Sequence, residues 1–323
     1  MKHTSEKSPT SREKEDGQYL SNESAGCRHK RGTHTANFAG GKNLPAFKAE
    51  RLQIDRIRAE LESAAWANRV FFFPSLDSTN RKIYDLALEG APEGTLILAE
   101  EQSAGKGRLG RSWSSLPYRG LWFSLLLRPE NMTPEKMAPF TAAAAAIAAS
   151  GLRGVTGLPV SVKWPNDLLI NGKKLGGALA RVKMQSHRIH FMILGMGINV
   201  NHRIDDFPAE LKEKATSLHI EGKTIYDREA ICATILNGLE VGYRLFLECG
   251  FSAFLELWRE LDFMPGQRIT VEYGTTTFRG TAMGIDEKGA LIARGFSGER
   301  KHFPYGEIEK MTLPESTGKM VKQ

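Results

Sequence analysis

The chain has 323 residues, 41% hydrophobic and 25% charged, which allows one large domain or two smaller ones around a sizeable core. Its formal net charge of +7 makes an anionic partner thinkable, yet the basic residues are spread along the chain as on an ordinary solvated surface. Three scattered cysteines, Cys27, Cys232 and Cys249, with no C-x-x-C, argue against a disulfide framework or a zinc knuckle and fit a reducing compartment.

In chain order, residues 1–50 mix Ser, Lys, Glu, Thr, Gly and His with few large apolar side chains, and read as a disordered polar and basic tail. Cys27, His29 and His34 lie close together there, but a tetrahedral metal site needs a fourth ligand. The tail has no apolar core of a signal peptide and no helical period that would suggest a winged helix. From residue 51 the texture changes. "RLQIDRIRAELES" spaces Leu52, Ile54, Ile57 and Leu61 as on a helix, and "RVFFFPSL", "TLILAE" and "GLWFSLLLRP" read as strands. "TPEKMAPFTAAAAAIAASG" reads as a helix capped by Thr133 and closed by Gly151. Its alanine-rich run is too short to span a bilayer, so the expectation is a cytoplasmic protein without a membrane.

The segment from Val162 to Asn201 predicts three antiparallel strands, with Asn171-Gly172 as a type I′ hairpin turn and "MQSH" as a second turn. Pairing Lys183 with Arg188 sets Gly176 opposite Gly195 and Lys174 opposite Gly197. One face then carries Lys174, Gly176, Gly195, Gly197 and Asn199: a bare floor rimmed by a cation and an amide. Such a floor serves either a ligand or a closely packed helix, and a one-residue slip would move the set to the other face. A long amphipathic helix over 226–248 follows. From residue 263 to 313, short alternating strands separated by turns suggest a small all-β domain, with residues 314–323 as a second tail.

The stretch "GKGRLGRSW" spells G-x-G-x-x-G at Gly105, Gly107 and Gly110. A dinucleotide fingerprint needs a strand before it and a helix opening from it. Here the chain runs on into another strand, so that reading is rejected. The alternative is a loop that brings backbone N–H groups, Arg108 and Arg111 to phosphate or carboxylate oxygens, with Trp113 either stacking on a purine or filling the core.

At this point the sequence resembles the biotin–protein ligases. "DSTN" (77–80), "EEQSAGKGRLGRSW" (100–113), "KWPNDLLINGKKLGG" (163–177), "GMGINVN" (195–201) and "ATSL" (215–218) follow the order seen in that family, and the resemblance runs from about residue 51 to 312. It implies an α+β fold: a mixed or antiparallel sheet backed by helices over 51–262, plus a C-terminal SH3-like β-barrel over 263–313. It implies a monofunctional enzyme without a winged helix, for which specific DNA binding is not expected. The substrates would be biotin and ATP with Mg²⁺. The biotin carboxylate would attack the α-phosphate to give biotinyl-5′-AMP, and a lysine of the carboxyl carrier domain of a biotin-dependent carboxylase would then accept the biotinyl group. A homodimer through an exposed sheet edge is left open.

Residue by residue, the resemblance puts Ser78, Thr79, Asn80 and Gln102 near the biotin ring and Gly105, Lys106, Gly107 and Arg108 over the biotin and the acyl-phosphate linkage. Gly195 and Gly197 would lie beneath the ligand. Arg111 and Trp113 would serve the nucleotide, Asn166 and Lys174 the phosphate oxygens, and Asn199 the adenylate. Lys174 would also meet the biotin carboxylate. Asp167 would orient or deprotonate the incoming lysine, or reach Mg²⁺ indirectly, unless it merely closes the turn after Pro165. Lys106 departs from the family, which commonly has Arg there. The rival readings are attachment of lipoate or octanoate by the same fold, and a biotin-sensing repressor.

Overall fold

The computed structural model describes residues 50–312. The two tails read from the sequence, with Cys27, His29, His34 and the expected lack of a winged helix, fall almost wholly outside the described residues.

The described chain opens with helices α1 (Ile54–Glu60) and α2 (Ala64–Ala67), then β1 (Val70–Leu76), α3 (Thr79–Leu88), β2 (Leu96–Gln102) and β3 (Gly120–Leu127). Helices α4 (Pro134–Met137) and α5 (Phe140–Thr156) precede four strands, β4 (Ser161–Lys163), β5 (Asp167–Ile170), β6 (Lys173–Gln185) and β7 (Arg188–Asn199). These seven strands form one sheet in the order β1-β2-β3-β7-β6-β5-β4, with β1 and β2 parallel and the other pairs antiparallel. Next come α6 (Leu218–Gly222), α7 (Arg228–Cys249) and α8 (Leu255–Leu261). The last strands, β8 (Arg268–Tyr273), β9 (Thr276–Ile285), β10 (Leu291–Gly295), β11 (Arg300–Phe303) and β12 (Glu307–Thr312), make an antiparallel sheet in the order β11-β10-β9-β8-β12.

Alternation along β7 divides the large sheet into two faces. Met192, Leu194, Met196 and Ile198 point into the main core, where the buried alanines of α5 let that helix lie close. Gly238 and Gly242 of α7 face Ile147 of α5, where a Cβ at Gly242 would stand 2.3 Å from the Ile147 side chain. The apolar face of α7 is spent on this packing: Ile231, Ile235, Leu239 and Phe246 are buried. On the other face, Phe191 and Ile193 pack with Ile83 and Ala87 of α3. The same face continues into Gly195 and Gly197, so the floor drops just beyond the helix that covers it.

Two expectations need correction. The helix expected to stop at Gly151 continues to Thr156 and closes at Gly157, whose φ of 70° suits the left-handed cap. The hairpin register also differs. Ser186 and His187 both have positive φ, so they form the two-residue turn and Gln185, not Lys183, faces Arg188. A bulge near Lys183 and Met184 adds a further step, which leaves Gly177 opposite Gly197 and Leu179 opposite Gly195. Gly176 therefore leaves the proposed face and pairs with Ile198. Lys174 regains the face through a second bulge: Leu168 pairs with Gly176 but Leu169 with Lys174, and the extra residue, Leu175, turns into the core.

The small sheet meets the large one at the chain's KWPND segment. Trp164, 2% exposed, donates from Nε1 to the Gly289 carbonyl at 3.1 Å, and its bond to Pro165 is cis. Asp262 bridges in parallel to Val162 and accepts from Met264 N–H at 2.9 Å. Burial raises its pKa from 3.8 to about 6. An acid whose pKa rises on folding exerts no penalty below the unfolded value, and its full penalty above the folded one. Asp262→Asn is thus expected to gain about 1–2 kcal/mol of unfolding free energy at pH 7.5 and close to nothing at pH 3.5. The full shift would represent about 3 kcal/mol, discounted here because the carboxylate keeps some solvent contact. Denaturant titrations of both proteins at the two pH values measure this; an equal gain at both would assign the effect to something other than ionisation.

Candidate active site

Above the glycine floor lies a cavity of about 370 Å³, a size suited to a small ligand. One end is built by uncharged polar groups, buried except for the half-buried Gln102. Thr79 N–H, at the start of α3, donates to Gln102 Oε1 at 2.8 Å, and Gln102 Nε2 donates to Ser115 Oγ at 2.8 Å. Ser124 Oγ lies 2.8 Å from Thr79 Oγ1 and 2.9 Å from Asn80 Oδ1. Ser78, at the N-cap position of α3, is buried and does not line the cavity, whereas Thr79, Asn80 and Gln102 do.

"GKGRLGRSW" folds back on itself. Gly107 N–H donates to Arg111 O at 2.8 Å, Trp113 N–H to Gly105 O at 2.9 Å, and Lys106 bridges to Ser112. No α-helix opens here; a short 3-10 turn over Arg108–Gly110 forms the tip. Gly105 sits behind the wall, where a Cβ would stand 2.6 Å from Trp113 O. Lys106, Gly107, Arg108, Arg111 and Trp113 reach the cavity. The Arg108 guanidinium donates to Asn166 Oδ1 at 3.2 Å and to the Gly306 carbonyl at 2.7 Å, and Arg111 pairs with Glu307. The loop is thereby tied to the small sheet.

The opposite end is cationic. Six basic side chains line the cavity against two carboxylates, Asp167 and Glu307. The bulge at Leu175 brings Lys174 and Asp167 onto one face, with Nζ 2.6 Å from Oδ1, and Nζ stands 5.6 Å from the Trp113 ring. Lys163 also lines this end, and its pKa is lowered chiefly by burial. Asn166 is fixed by donating to Ala178 O, and Asn199 by donating to Thr216 O at 3.0 Å. A Cβ at Gly197 would stand 2.6 Å from Trp113 Nε1, and one at Gly195 2.4 Å from Asn80 Oδ1. The glycines therefore hold two cavity side chains in place as well as leaving room.

Fourteen of the sixteen residues expected from sequence line the cavity; Ser78 and Gly105 do not. Sequence reasoning missed Lys163 and Gly177, although both lie inside quoted motifs. It also missed His202, Phe207 and Glu307. His202 stacks on Phe207 at 5.2 Å, and burial lowers its pKa to about 4, so it stays neutral near pH 7. Its Nδ1 and Trp113 Nε1 are both buried with no hydrogen-bond partner among the described residues, an unusual state that a polar ligand would relieve.

Comparison with known proteins bears on this geometry. Residues 72–199 match the model of the biotin/lipoate A/B protein ligase family, and residues 266–311 that of the biotin protein ligase C-terminal domain. The chain is 36% identical over 254 residues to the bifunctional ligase/repressor BirA of Bacillus subtilis (strain 168), covering 79% of this chain and 78% of that protein. The chain belongs to the biotin protein ligase family.

Another member, the biotin–[acetyl-CoA-carboxylase] ligase of Paracoccus denitrificans, is 30% identical over 235 residues, 72% of this chain and 96% of that ligase. A solved structure of a biotin protein ligase from Aquifex aeolicus, in complex with biotin and ATP, superposes with a TM-score of 0.66 at 28% identity, covering 76% of this chain and 99% of that one. The two-sheet architecture described above is therefore the biotin protein ligase fold with its C-terminal domain. In a biotin protein ligase, Gly195→Ala is expected to weaken biotin binding by about 10²-fold through displacement of Asn80, the scale of loss a misplacement near 1 Å produces. Calorimetric titration with biotin measures it; binding within twofold of wild type would show that Asn80 can move at no cost.

Proposed function

We infer that the protein is an ATP-dependent ligase that activates biotin as biotinyl-5′-AMP and transfers the biotinyl group to a lysine of an acceptor protein. One observation carries the reading at this site. A glycine-floored cavity has a neutral hydrogen-bonding end at Thr79, Asn80 and Gln102 and a cationic end at Arg108, Lys163 and Lys174. The neutral end suits an uncharged polar ring, the cationic end a carboxylate and phosphates, and the distance between them is bridged by Gly195 and Gly197.

In the first step, a carboxylate oxygen of biotin attacks the α-phosphorus of ATP and pyrophosphate leaves. Charge accumulates on the phosphoryl oxygens, where Lys174 and Arg108 are placed to stabilise it. Asp167 holds Lys174 Nζ at 2.6 Å until the phosphate competes for it. Asn166 steers Arg108, and Trp113 with the neutral His202 and Phe207 forms an aromatic wall for the nucleotide. In the second step, the ε-amine of the acceptor lysine attacks the acyl carbon, AMP leaves with the electron pair of the broken C–O bond, and the amine loses a proton. Asp167, once Lys174 turns to the phosphate, is a carboxylate in position to accept that proton. Lys106 bridges to Ser112 through backbone pairing, which supports a role for this position through its backbone, one that Lys serves as well as the Arg common in the family.

Magnesium, when bound, would come with ATP and supply counter-charge for its phosphates. The two carboxylates at the cavity, Asp167 and Glu307, are already paired with Lys174 and Arg111, and no cluster of three or more metal-ligating side chains occurs among the described residues, so the nucleotide's own phosphates and water would hold the ion. The acceptor is proposed to be the carboxyl carrier domain of a biotin-dependent carboxylase. Incubation with biotin, MgATP and the carrier domain of acetyl-CoA carboxylase tests the whole reading. One biotinyl group on one lysine, found by mass spectrometry, is the expected product; an unmodified carrier beside folded enzyme would overturn it.

A further inference from the structure

The outer face of the five-stranded sheet carries charges that adenylation does not use. Pairing sets Arg300 opposite Arg294, Arg294 opposite Thr281 and Thr281 opposite Arg268, so three arginines stand in one row across four strands. Arg279, two residues before Thr281 on β9, adds a fourth on the same face. All four are exposed, and none takes part in an ion pair or side-chain hydrogen bond among the described residues. Like charges directly opposite on neighbouring strands oppose sheet formation, so the fold itself gains nothing from the row.

Its surroundings favour a protein partner. Beside the arginines the outward positions are Thr270, Glu272, Thr277, Thr281, Met283, Ile292 and His302, so one imidazole, itself paired with Asp286, stands there without a row of aromatic rings on which successive bases could stack. A sheet face of this width offers no ridge to enter a duplex groove. At the hairpin between β10 and β11, Phe296 is 80% exposed. Arginine beside an exposed aromatic is the composition of protein interfaces and their hot spots.

The face is also continuous with the cavity wall. Glu307, which lines the cavity, pairs directly with Glu272, and Arg268 lies on the same outward side of β8 as Glu272. At a rise near 3.3 Å per residue that separation is about 13 Å, well within the footprint of one small domain. We propose that this face docks the acceptor protein through a carboxylate-rich surface beside its target lysine, with Phe296 as an apolar anchor. The proposal rests on the ligase reading given above. Docking of this kind speeds encounter and sets orientation for the transfer step, and leaves adenylation alone.

The test is a full-length variant carrying Arg268→Glu, Arg294→Glu and Arg300→Glu, with the three Arg→Lys changes as a charge-preserving control. Biotin-dependent ATP–pyrophosphate exchange should stay within about twofold of wild type, which also reports that the enzyme is folded. Transfer to the carrier domain of acetyl-CoA carboxylase should lose at least about tenfold in kcat/KM, the lysine variant should retain most of it, and added salt should narrow the gap. Wild-type transfer by the charge-reversed enzyme would overturn the proposal. So would unchanged transfer together with lost binding of a fluorescent oligonucleotide, which would reassign the face to nucleic acid. Absence of biotin-dependent exchange in the wild type would instead overturn the ligase reading, and the docking proposal with it.

Discussion

Replacing Lys174 by alanine is expected to slow biotin-dependent ATP–pyrophosphate exchange by about 10²–10³-fold, the loss typical when one preorganised transition-state donor is removed. Lys174 stands at the cationic end of the cavity, placed there by the bulge at Leu175, and shares its ammonium group between Asp167 and the incoming oxygens. Arg108 and Lys163 remain in the variant, which is why the loss stops short of inactivity. Biotin affinity should fall less than the rate, because the neutral end is untouched. Single-turnover formation of the adenylate separates the two effects. Adenylate formation at the wild-type rate would remove Lys174 from the chemistry, and an equal loss in binding and rate would make it a ground-state contact.

The second large effect is on stability. Glu100 and Arg228 are 2% and 5% exposed and pair at 2.5 Å. Glu100 also accepts from Leu52 N–H at 2.8 Å and Tyr118 N–H at 2.9 Å, while Arg228 donates to Gly120 O at 3.1 Å and Glu50 O at 2.7 Å. The pair joins the entry of the described chain, the end of the loop after Trp113 and the start of α7. A cation in the first turn of a helix opposes the helix dipole, so Arg228 is tolerated there because Glu100 answers it. Arg228→Ala leaves Glu100 buried and uncompensated, and is expected to cost about 3–5 kcal/mol in a urea titration. The double change Arg228→Met with Glu100→Gln should cost clearly less, because no lone charge remains. A single variant within about 1 kcal/mol of wild type, or a double variant no better than the single, would contradict this account of the pair.

The sequence made the strands, the Asn171-Gly172 turn and the helix cap at Thr133 legible because each depends on neighbouring residues. Thr133 Oγ1 accepts from Lys136 N–H at 3.4 Å, and Asn171 and Gly172 have φ of 50° and 77°. Register was not legible, since it turns on a two-residue choice at Ser186-His187 and on two bulges that carry no local signature. The glycine-floored face survived in function but not in membership: Gly177 took the place assigned to Gly176. Glu307 was out of reach for another reason. It comes from a separate sheet, almost 200 residues after Arg111 in the chain, and only tertiary packing brings the two together. Gly151 misled because a glycine late in an alanine-rich helix looks like a stop, while here it gives room to Thr234 of α7.

The most direct test of the ligase reading is ATP–pyrophosphate exchange by the wild-type protein with biotin, lipoate or octanoate as the acyl donor. The geometry of the Thr79–Gln102 end and the cations facing it predicts exchange with biotin alone. Exchange driven by lipoate or octanoate, or by none of the three from folded enzyme, would contradict it.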